Sequence, residues 1–414
     1  MTLGGRWTGT ILTGLTVAFA VTALLALQPR PRPGASPASP PNASDTATRA
    51  SPAEVLGKWQ ESHRRWRRTA PDPAEFVAYV STQDPAAVVA IDVEARVTIA
   101  TVSAPARTPR DWIADIAVTP DGGRVYLAAP VLGRVFVIDA ATHTLLGSPE
   151  PVGVWVGGKP NYLLIAPGGT RAYVRAGEAL SVIDTDPSSP RFHQVSTLSD
   201  GRMHLGGQRP TGIACLPDGS RLYMADMLAD SVSVIDLDPR SPLPHTVLPV
   251  PDGATIRVGR APLGLAIHPA GTRLYVANFV SDDLSVVDTD PSSHSFHRVV
   301  ATIRMDDGPE GVVVLPDGSR VYVAHANAGS VLVADTESGV VVSSLAVGLS
   351  PRRLAMTPDG SRCLVTNRDS GDVSVIDTDP TSPTLHTVLA SIPVAGRPYG
   401  LAIARNPRRD RPRP

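Results

Sequence analysis

The chain has 414 residues, and its 38 Lys and Arg side chains nearly balance its 39 Asp and Glu side chains, for a formal net charge of -1. That balance excludes a nucleic-acid-binding protein that relies on bulk positive charge. The 41 prolines and 35 glycines in a 42% hydrophobic chain indicate a large core interrupted by turns rather than a mainly helical protein, and two cysteines exclude a disulfide scaffold.

The first segment, residues 1–28, is apolar. No charged side chain lies between Arg6 and Arg30, and a helix of this length spans the roughly 30 Å hydrocarbon layer of a bilayer. The segment is predicted to be an uncleaved signal anchor, with a cleaved signal peptide as the alternative. We therefore expect a cell-membrane protein with one membrane pass and its folded body outside the cytoplasm, or a protein secreted after cleavage.

Three further segments flank the main body. Residues 29–52 form a linker rich in Pro, Ser and Ala, a composition that buries too little apolar surface to order itself. Ser51-Pro52-Ala53-Glu54 has the form of a helix start, which predicts a short basic helix over residues 53–70. Residues 406–414 form a tail rich in Arg and Pro.

Between these segments the sequence repeats itself. In one clear copy a turn at Pro269-Ala-Gly271 is followed by Arg273, by Tyr275 and by an apolar segment that ends at Asp288. The Asp that ends this segment recurs at intervals of 42 to 52 residues, at Asp92, Asp139, Asp184, Asp236, Asp288, Asp335 and Asp377. Seven copies are therefore present.

Each copy reads as four short strands, and four strands at a period near 45 residues are typical of one propeller blade. The first copy lacks an innermost strand, whereas the C-terminus carries an additional one at residues 397–403. We predict an all-β, seven-bladed β-propeller of four-stranded blades over residues 71–405. The C-terminal strand should complete the first blade and close the ring, which removes exposed sheet edges.

The copies resemble the YVTN family of β-propeller repeats, whose Tyr-Val-Thr-Asn signature is seen here as Tyr275-Val-Ala-Asn278 and Leu364-Val-Thr-Asn367. The resemblance covers about residues 76–405. It implies an extracytoplasmic seven-bladed ring similar to surface-layer-like proteins. Related propellers include lactonases, lyases and haem-carrying reductases, so the resemblance implies a fold rather than a reaction.

Propeller ligands usually bind over the central channel, here on the rim formed by the strand 2–3 loops and the blade-to-blade connections. Side chains that vary between equivalent positions of this rim are freer of the shared packing constraint and are the candidate ligand-binding residues. They are Lys159, Arg175, Arg209, Asp226, Asn278, Glu310, His325, Arg352, Arg353, Asn367 and Arg397. Their excess of Arg and Lys predicts a small anionic ligand such as a carboxylate or phosphate, with a solvated polar rim as the alternative.

The opposite rim carries a second pattern, Asp-x-Asp-Pro followed by a His nine residues after the first Asp. It occurs at Asp184 and His193, Asp236 and His245, Asp288 and His297, and Asp377 and His386. The loop lacks the ligand count of a calcium loop. We predict a structural role, in which the Asp accepts backbone N–H groups in an Asx-turn and the His holds the hairpin.

The sequence contains no recognisable catalytic motif, and no cofactor or metal is predicted. The main interpretation is a membrane-anchored, non-catalytic binding or protein-interaction scaffold, expected to be a monomer. Its predicted partner is an unidentified protein or the small anionic ligand, and nucleic acid is not expected. The alternative is a lactonase-like or lyase-like enzyme with its site at the mouth of the central channel.

Overall fold

The computed structural model of the chain describes residues 76–105, 108, 111–147, 153–177, 179–197, 210–242 and 244–406. The predicted signal anchor (1–28), linker (29–52) and basic helix (53–70) lie outside the described residues, as do residues 71–75 and 407–414. In the ranges that are described, no helix is both long enough and apolar enough to span a bilayer.

Short strands rich in Val, Ile, Leu and Ala pair in antiparallel order and form seven sheets in the described part of the chain. Blade 1 contains β1 (Phe76–Gln83), β2 (Ala87–Asp92), β3 (Val97–Ser103) and the C-terminal strand β30 (Arg397–Arg405). Blade 2 contains β4 (Asp115–Val118), β5 (Arg124–Ala129), β6 (Arg134–Asp139), β7 (Thr144–Leu145) and β8 (Val154–Trp155). Blade 3 contains β9 (Pro160–Ile165), β10 (Arg171–Ala176), β11 (Ala179–Asp184) and β12 (Val195–Thr197). Blade 4 contains β13 (Pro210–Cys215), β14 (Arg221–Asp226), β15 (Ser231–Asp236), β16 (Val247–Leu248) and β17 (Ile256–Arg257). Blade 5 contains β18 (Pro262–Ile267), β19 (Arg273–Asn278), β20 (Asp283–Asp288) and β21 (Val299–Arg304); blade 6 contains β22 (Pro309–Val314), β23 (Arg320–His325), β24 (Ser330–Asp335) and β25 (Val341–Ala346); blade 7 contains β26 (Pro351–Met356), β27 (Arg362–Asn367), β28 (Asp372–Asp377) and β29 (Val388–Pro393).

The architecture confirms the predicted seven-bladed propeller of four-stranded blades. The C-terminal strand β30 pairs with β1, and Val80 lies opposite Leu401, so the last strand completes the first blade as expected. Blades 2 and 4 each carry two short strands at the outermost position instead of one. In blade 2, β7 and β8 pair with opposite ends of β6, so this outermost strand is interrupted.

The core lies between neighbouring blades, because alternate side chains of each strand pack against the sheet beside it. At the first interface, Val77 and Tyr79 of blade 1 belong to one buried cluster with Val125 and Leu127 of blade 2. The repeated Tyr of the second strand is fully buried in most blades. The apolar residues of the repeat therefore specify how consecutive blades stack.

The repeated Arg and Asp are cross-strand partners within a blade. Arg273 Nη1 lies 3.0 Å from Asp288 Oδ1, and Arg362 Nη1 lies 3.1 Å from Asp377 Oδ1. Arg320 and Asp335 form the equivalent ion pair, with the Arg320 side chain only 1% exposed. These two signature residues stabilise the rim opposite the blade-to-blade connections.

The Asp-x-Asp-Pro hairpins form the predicted Asx-turns and also join consecutive blades. Asp184 Oδ1 accepts the backbone N–H of Asp186 at 3.0 Å. In three of the four hairpins the His ring is hydrogen-bonded to the repeated Tyr of the preceding blade, at 3.0 to 3.2 Å. We call each such contact a Tyr–His latch; the pairs are Tyr126–His193, Tyr223–His297 and Tyr322–His386, and Tyr79–His143 is a shorter-loop version.

Candidate active site in the central channel

A β-bulge at the start of the innermost strand directs residues toward the central channel. In blades 4 to 7, two residues of the innermost strand lie opposite a single residue of the second strand. Such a bulge releases the residues from regular pairing and changes their direction. The residues in these bulges are Thr211-Gly212, Leu263-Gly264, Glu310-Gly311 and Arg352-Arg353, and blade 1 has Tyr399-Gly400.

Glycine at the second bulge position permits close approach of neighbouring innermost strands. A Cβ added to Gly212, Gly264 or Gly311 would lie only 2.3, 2.1 or 2.3 Å from a backbone carbonyl oxygen of the next blade. Any other residue would therefore push the strands apart. Blade 7 departs from this pattern, because its second bulge position is Arg353.

The Arg353 side chain reaches across the channel. Its guanidinium carbon lies 5.2 Å from the ring centre of Tyr162 in blade 3 and 5.5 Å from that of Tyr399 in blade 1. Cations over tyrosine faces are stabilised by the ring quadrupole. Arg353, Tyr162 and Asp115 line a cavity of about 140 Å³ whose remaining wall includes the three bulge glycines. This cavity in the centre of the ring is the candidate active site.

Asp115 supplies the carboxyl group of the cavity. Its Oδ2 accepts the backbone N–H of Leu163 at 3.0 Å, which fixes its orientation. Burial raises the pKa of Asp115 above its ordinary value, although the nearby Arg353 and backbone N–H groups act in the opposite direction. A carboxylate with a raised pKa is a stronger base than an ordinary aspartate and is therefore better suited to accept a proton.

A second arginine beside the cavity is neutralised. Arg352 forms an ion pair with Glu310 of blade 6, and the two side chains are 13% and 5% exposed. In the portion of the chain that the structure describes, no carboxylate lies within ion-pair distance of the Arg353 guanidinium. Arg353 therefore keeps its N–H donors available to a ligand, whereas Glu310 balances the charge of Arg352.

The structure brings three of the sequence-predicted rim residues together, namely Glu310, Arg352 and Arg353. Arg397 lies at the exposed rim, where it pairs with Asp369, and Lys159 is exposed. Arg175 is partly buried and lies opposite Tyr162 in the ladder. Arg209 lies outside the described residues.

The other four predicted rim residues are buried inside their own blades. Asn278 donates to Asp283 Oδ1 at 2.6 Å and to Ser285 Oγ at 2.9 Å, and Asn367 makes the equivalent bonds in blade 7. Asp226 accepts two backbone N–H groups of its turn. His325 is also fully buried. The last residue of the second strand thus bonds within its own blade in blades 4, 5 and 7, where its identity reflects local hydrogen bonding.

The sequence comparison of equivalent positions missed Asp115, Tyr162 and Tyr399. Asp115 and Tyr162 directly follow Ala114 and Asn161, which occupy the compared rim position in blades 2 and 3. At that next position the seven residues are Asp115, Tyr162, Gly212, Gly264, Gly311, Arg353 and Gly400. Four of these seven equivalent residues are glycine, and the other three are Asp115, Tyr162 and Arg353. A comparison at this position, which requires that the bulge be recognised, identifies the site.

Comparisons with known proteins give the same architecture. The most similar structures include a protein of unknown function from Desulfotomaculum acetoxidans DSM 771, with 16% identity, a TM-score of 0.61, and coverage of 80% of this chain and 99% of that one. Candidate 6-phosphogluconolactonases from Bacteroides fragilis NCTC 9343 and Bacteroides uniformis ATCC 8492 have 17% and 19% identity, TM-scores of 0.60, and coverage of 80% of this chain and 98% and 100% of theirs. At this level of identity the likeness shows the fold alone. No curated protein matches the sequence.

The family comparison goes further. A family model described as "Lactonase, 7-bladed beta-propeller" matches residues 116–312 and 255–399. This match contradicts the main expectation of a non-catalytic scaffold and favours the alternative, a lactonase-like enzyme. The matched region includes Tyr162, Arg353 and Tyr399, and begins one residue after Asp115. The chain belongs to the lactonase family of seven-bladed β-propellers.

Proposed function

We propose that the protein hydrolyses a lactone in the central cavity, with Arg353 and Asp115 as the catalytic residues. One observation carries the proposal: an arginine without a hydrogen-bonded carboxylate in the described chain lies over two tyrosine rings and lines the same cavity as a partly buried carboxyl group. Ester hydrolysis needs a group that accepts a proton from water and donors that stabilise the developing oxyanion.

The reaction uses each group once. The carboxylate of Asp115 accepts a proton as a water oxygen attacks the lactone carbonyl carbon, and the N–H donors of Arg353 stabilise the negative charge on the carbonyl oxygen. The ring C–O bond then breaks, and the leaving oxygen takes the proton back from Asp115. The product is a hydroxy acid, formed by addition of one water molecule.

The two tyrosines explain why Arg353 suits this role. They hold its guanidinium beside the cavity that it lines, where its planar fork of N–H groups can bind an oxyanion. Tyr162 and Tyr399 also limit the rotamers of the side chain. The arrangement therefore presents preorganised donors, which is the feature that contributes most to catalysis of acyl transfer.

Titration of released acid tests the proposal directly. The purified full chain in detergent is mixed with sugar-acid lactones, unsubstituted or carrying a phosphate or carboxylate, and the rate is compared with spontaneous hydrolysis. We expect turnover, a loss of about 10²–10³-fold in kcat for Arg353→Gln, and a loss of at least about 10²-fold for Asp115→Asn.

Two exposed residues provide matched controls, Arg304→Gln and Glu337→Gln, which should leave the rate unchanged. Absence of acceleration with every lactone, or full activity of Arg353→Gln, would contradict the proposal. Faster turnover of the charged lactones would support the small anionic ligand that the arginine-rich rim predicts.

The location of the enzyme is a separate proposal. We propose that the repeats form the YVTN-like branch of the family and that residues 1–28 hold a monomeric body outside the cytoplasm. The support is the uncharged stretch between Arg6 and Arg30 and the signature at Tyr275-Val-Ala-Asn278. Protease added to intact cells should digest the protein, and membranes should retain it after a high-salt wash; resistance of the protein in intact cells would contradict this location.

A further inference from the structure

The interface between blades 3 and 4 departs from the Tyr–His latch pattern. The rings of Tyr126 and His193, and of Tyr223 and His297, lie 5.8 Å apart and are hydrogen-bonded, whereas Tyr173 and His245 lie 6.4 Å apart. His245 Nε2 is buried and has no hydrogen-bond partner among the described residues. A buried polar atom without a partner destabilises a protein, so its presence calls for an explanation.

The residue before the His also differs between blades. In blades 3 and 5 it is Phe192 or Phe296, each stacked on the adjacent His at 3.8 or 3.7 Å between ring centres. The arginine of the preceding blade lies over that phenylalanine, 5.1 Å away for Arg124. Blade 4 has Pro244 at this position. Within the described residues, the equivalent arginine, Arg171, lies over no phenylalanine ring.

A cavity of about 260 Å³ occupies this interface. Its polar lining comes from Arg171, Arg191, Gln194, Asp184 and His245. Since a water molecule in the liquid takes about 30 Å³, the space accommodates a multi-atom ligand. The cavity lies on the rim of the strand 3–4 hairpins, opposite the rim onto which the catalytic cavity opens.

The charge of the lining favours an anion. Two guanidinium groups face one carboxylate, and Asp184 already accepts the Asp186 backbone N–H and, at 2.6 Å, the Ser189 hydroxyl. Asp184 makes no ion pair within the described chain, unlike Asp288 and Asp377 at the same position of their blades. Arg171 hydrogen-bonds the Tyr173 side chain, and its remaining N–H groups stay available to a ligand.

We propose that this inter-blade cavity binds a phosphate group, free or as a small monoester. Arg171 and Arg191 donate to its oxygens, and His245 completes the polar lining. Guanidinium groups suit this ligand because their paired N–H donors match two oxygens of one phosphate.

Thermal denaturation of the full chain tests the site, because a ligand of the native state raises the melting temperature by mass action. Inorganic phosphate is titrated in the millimolar range at constant ionic strength, with glycerol phosphate in a second series. We expect a saturating rise in at least one series, and the lower half-saturation concentration identifies the free or esterified source.

Variants locate the binding. Arg171→Gln should abolish the rise by removing a donor. Pro244→Phe should abolish it by filling the cavity with the ring that blades 3 and 5 carry, without lowering the melting temperature of the unliganded protein. Arg240→Gln, an exposed arginine of the same hairpin, and Arg353→Gln in the channel should keep it.

The proposal does not depend on lactone hydrolysis, since it involves none of the channel residues. It is overturned by the absence of a saturating rise in the folded protein. It is also overturned if the rise in melting temperature survives in both Arg171→Gln and Pro244→Phe, because the phosphate would then bind outside this cavity. The same holds if Arg353→Gln removes a rise that Arg171→Gln retains, since the phosphate would then bind in the channel.

Discussion

Replacing Gly264 by Ala should separate the innermost strands of blades 5 and 6. The added Cβ would lie 2.1 Å from the backbone carbonyl oxygen of Glu310, whereas real Cβ contacts are essentially never closer than 3.0 Å, so the backbone must move by about 0.9 Å. Overpacking of this kind costs about 1–3 kcal/mol. The movement also displaces Glu310, which holds Arg352, the neighbour of the catalytic Arg353. Misplacement by about 1 Å can lower turnover roughly 10²-fold.

Urea denaturation and lactone turnover measure the two effects of Gly264→Ala. Gly168→Ala is the matched control, because its added Cβ would meet only Thr170 Oγ1, at 4.0 Å, and its backbone is not in the left-handed region. We expect the denaturation midpoint and kcat to fall for Gly264→Ala and to stay near the wild-type values for Gly168→Ala. Equal midpoints for the two variants would refute the claim that these glycines set the spacing of the innermost strands.

Three further predictions concern the Tyr–His latches, the buried ion pairs and the rim asparagines. Burial lowers the pKa of His297 and His386 to about 4, so between pH 6.5 and 4 the unfolded chain binds protons more readily than the folded one. The stability from the neutral rings is therefore complete above pH 6.5, and the urea midpoint should fall as the pH drops through that range. The fall should be less steep in a variant with both histidines changed to Gln. Arg320→Met should destabilise the protein by about 3–5 kcal/mol in urea denaturation because it leaves Asp335 buried without its partner, and adding Asp335→Leu should restore most of the loss. Asn367→Ala should lower stability by about 1–3 kcal/mol while leaving kcat/KM per folded molecule unchanged, and a selective loss of activity would instead place this side chain in the lactone site.

The repeat made the fold predictable because each repeated feature has a local physical cause. The turn prolines and glycines mark the hairpins, the terminal Asp pairs with the Arg of the neighbouring strand, and the buried Tyr sets the stacking of blades. The additional strand at the C-terminus predicted closure, which the pairing of Val80 with Leu401 confirms. Every one of these signals recurs within the chain, so a single sequence contained several independent observations.

The site was less predictable because side-chain direction depends on the bulge. One additional residue in a strand moves each following side chain to the opposite face of the sheet. The pattern of apolar and polar residues does not show where such a bulge lies. The comparison of rim positions therefore included Asn278 and Asn367, which face their own turns, and stopped one residue short of Asp115 and Tyr162. The bulge left one trace in the sequence, the glycine that follows the variable residue in four blades.

Departures from the repeat are the most informative positions in this chain. Packing between strands requires glycine at the second bulge position of blades 4 to 6, so Arg353 at that position in blade 7 has a purpose other than packing. Pro244 likewise occupies a position where blades 3 and 5 place a phenylalanine that fills the interface. Each replacement gives up a packing contact and leaves an arginine beside a cavity. Because the unaltered blades show what the fold alone requires, these two arginines, Arg353 and Arg171, are the groups whose substitution should separate function from stability most clearly.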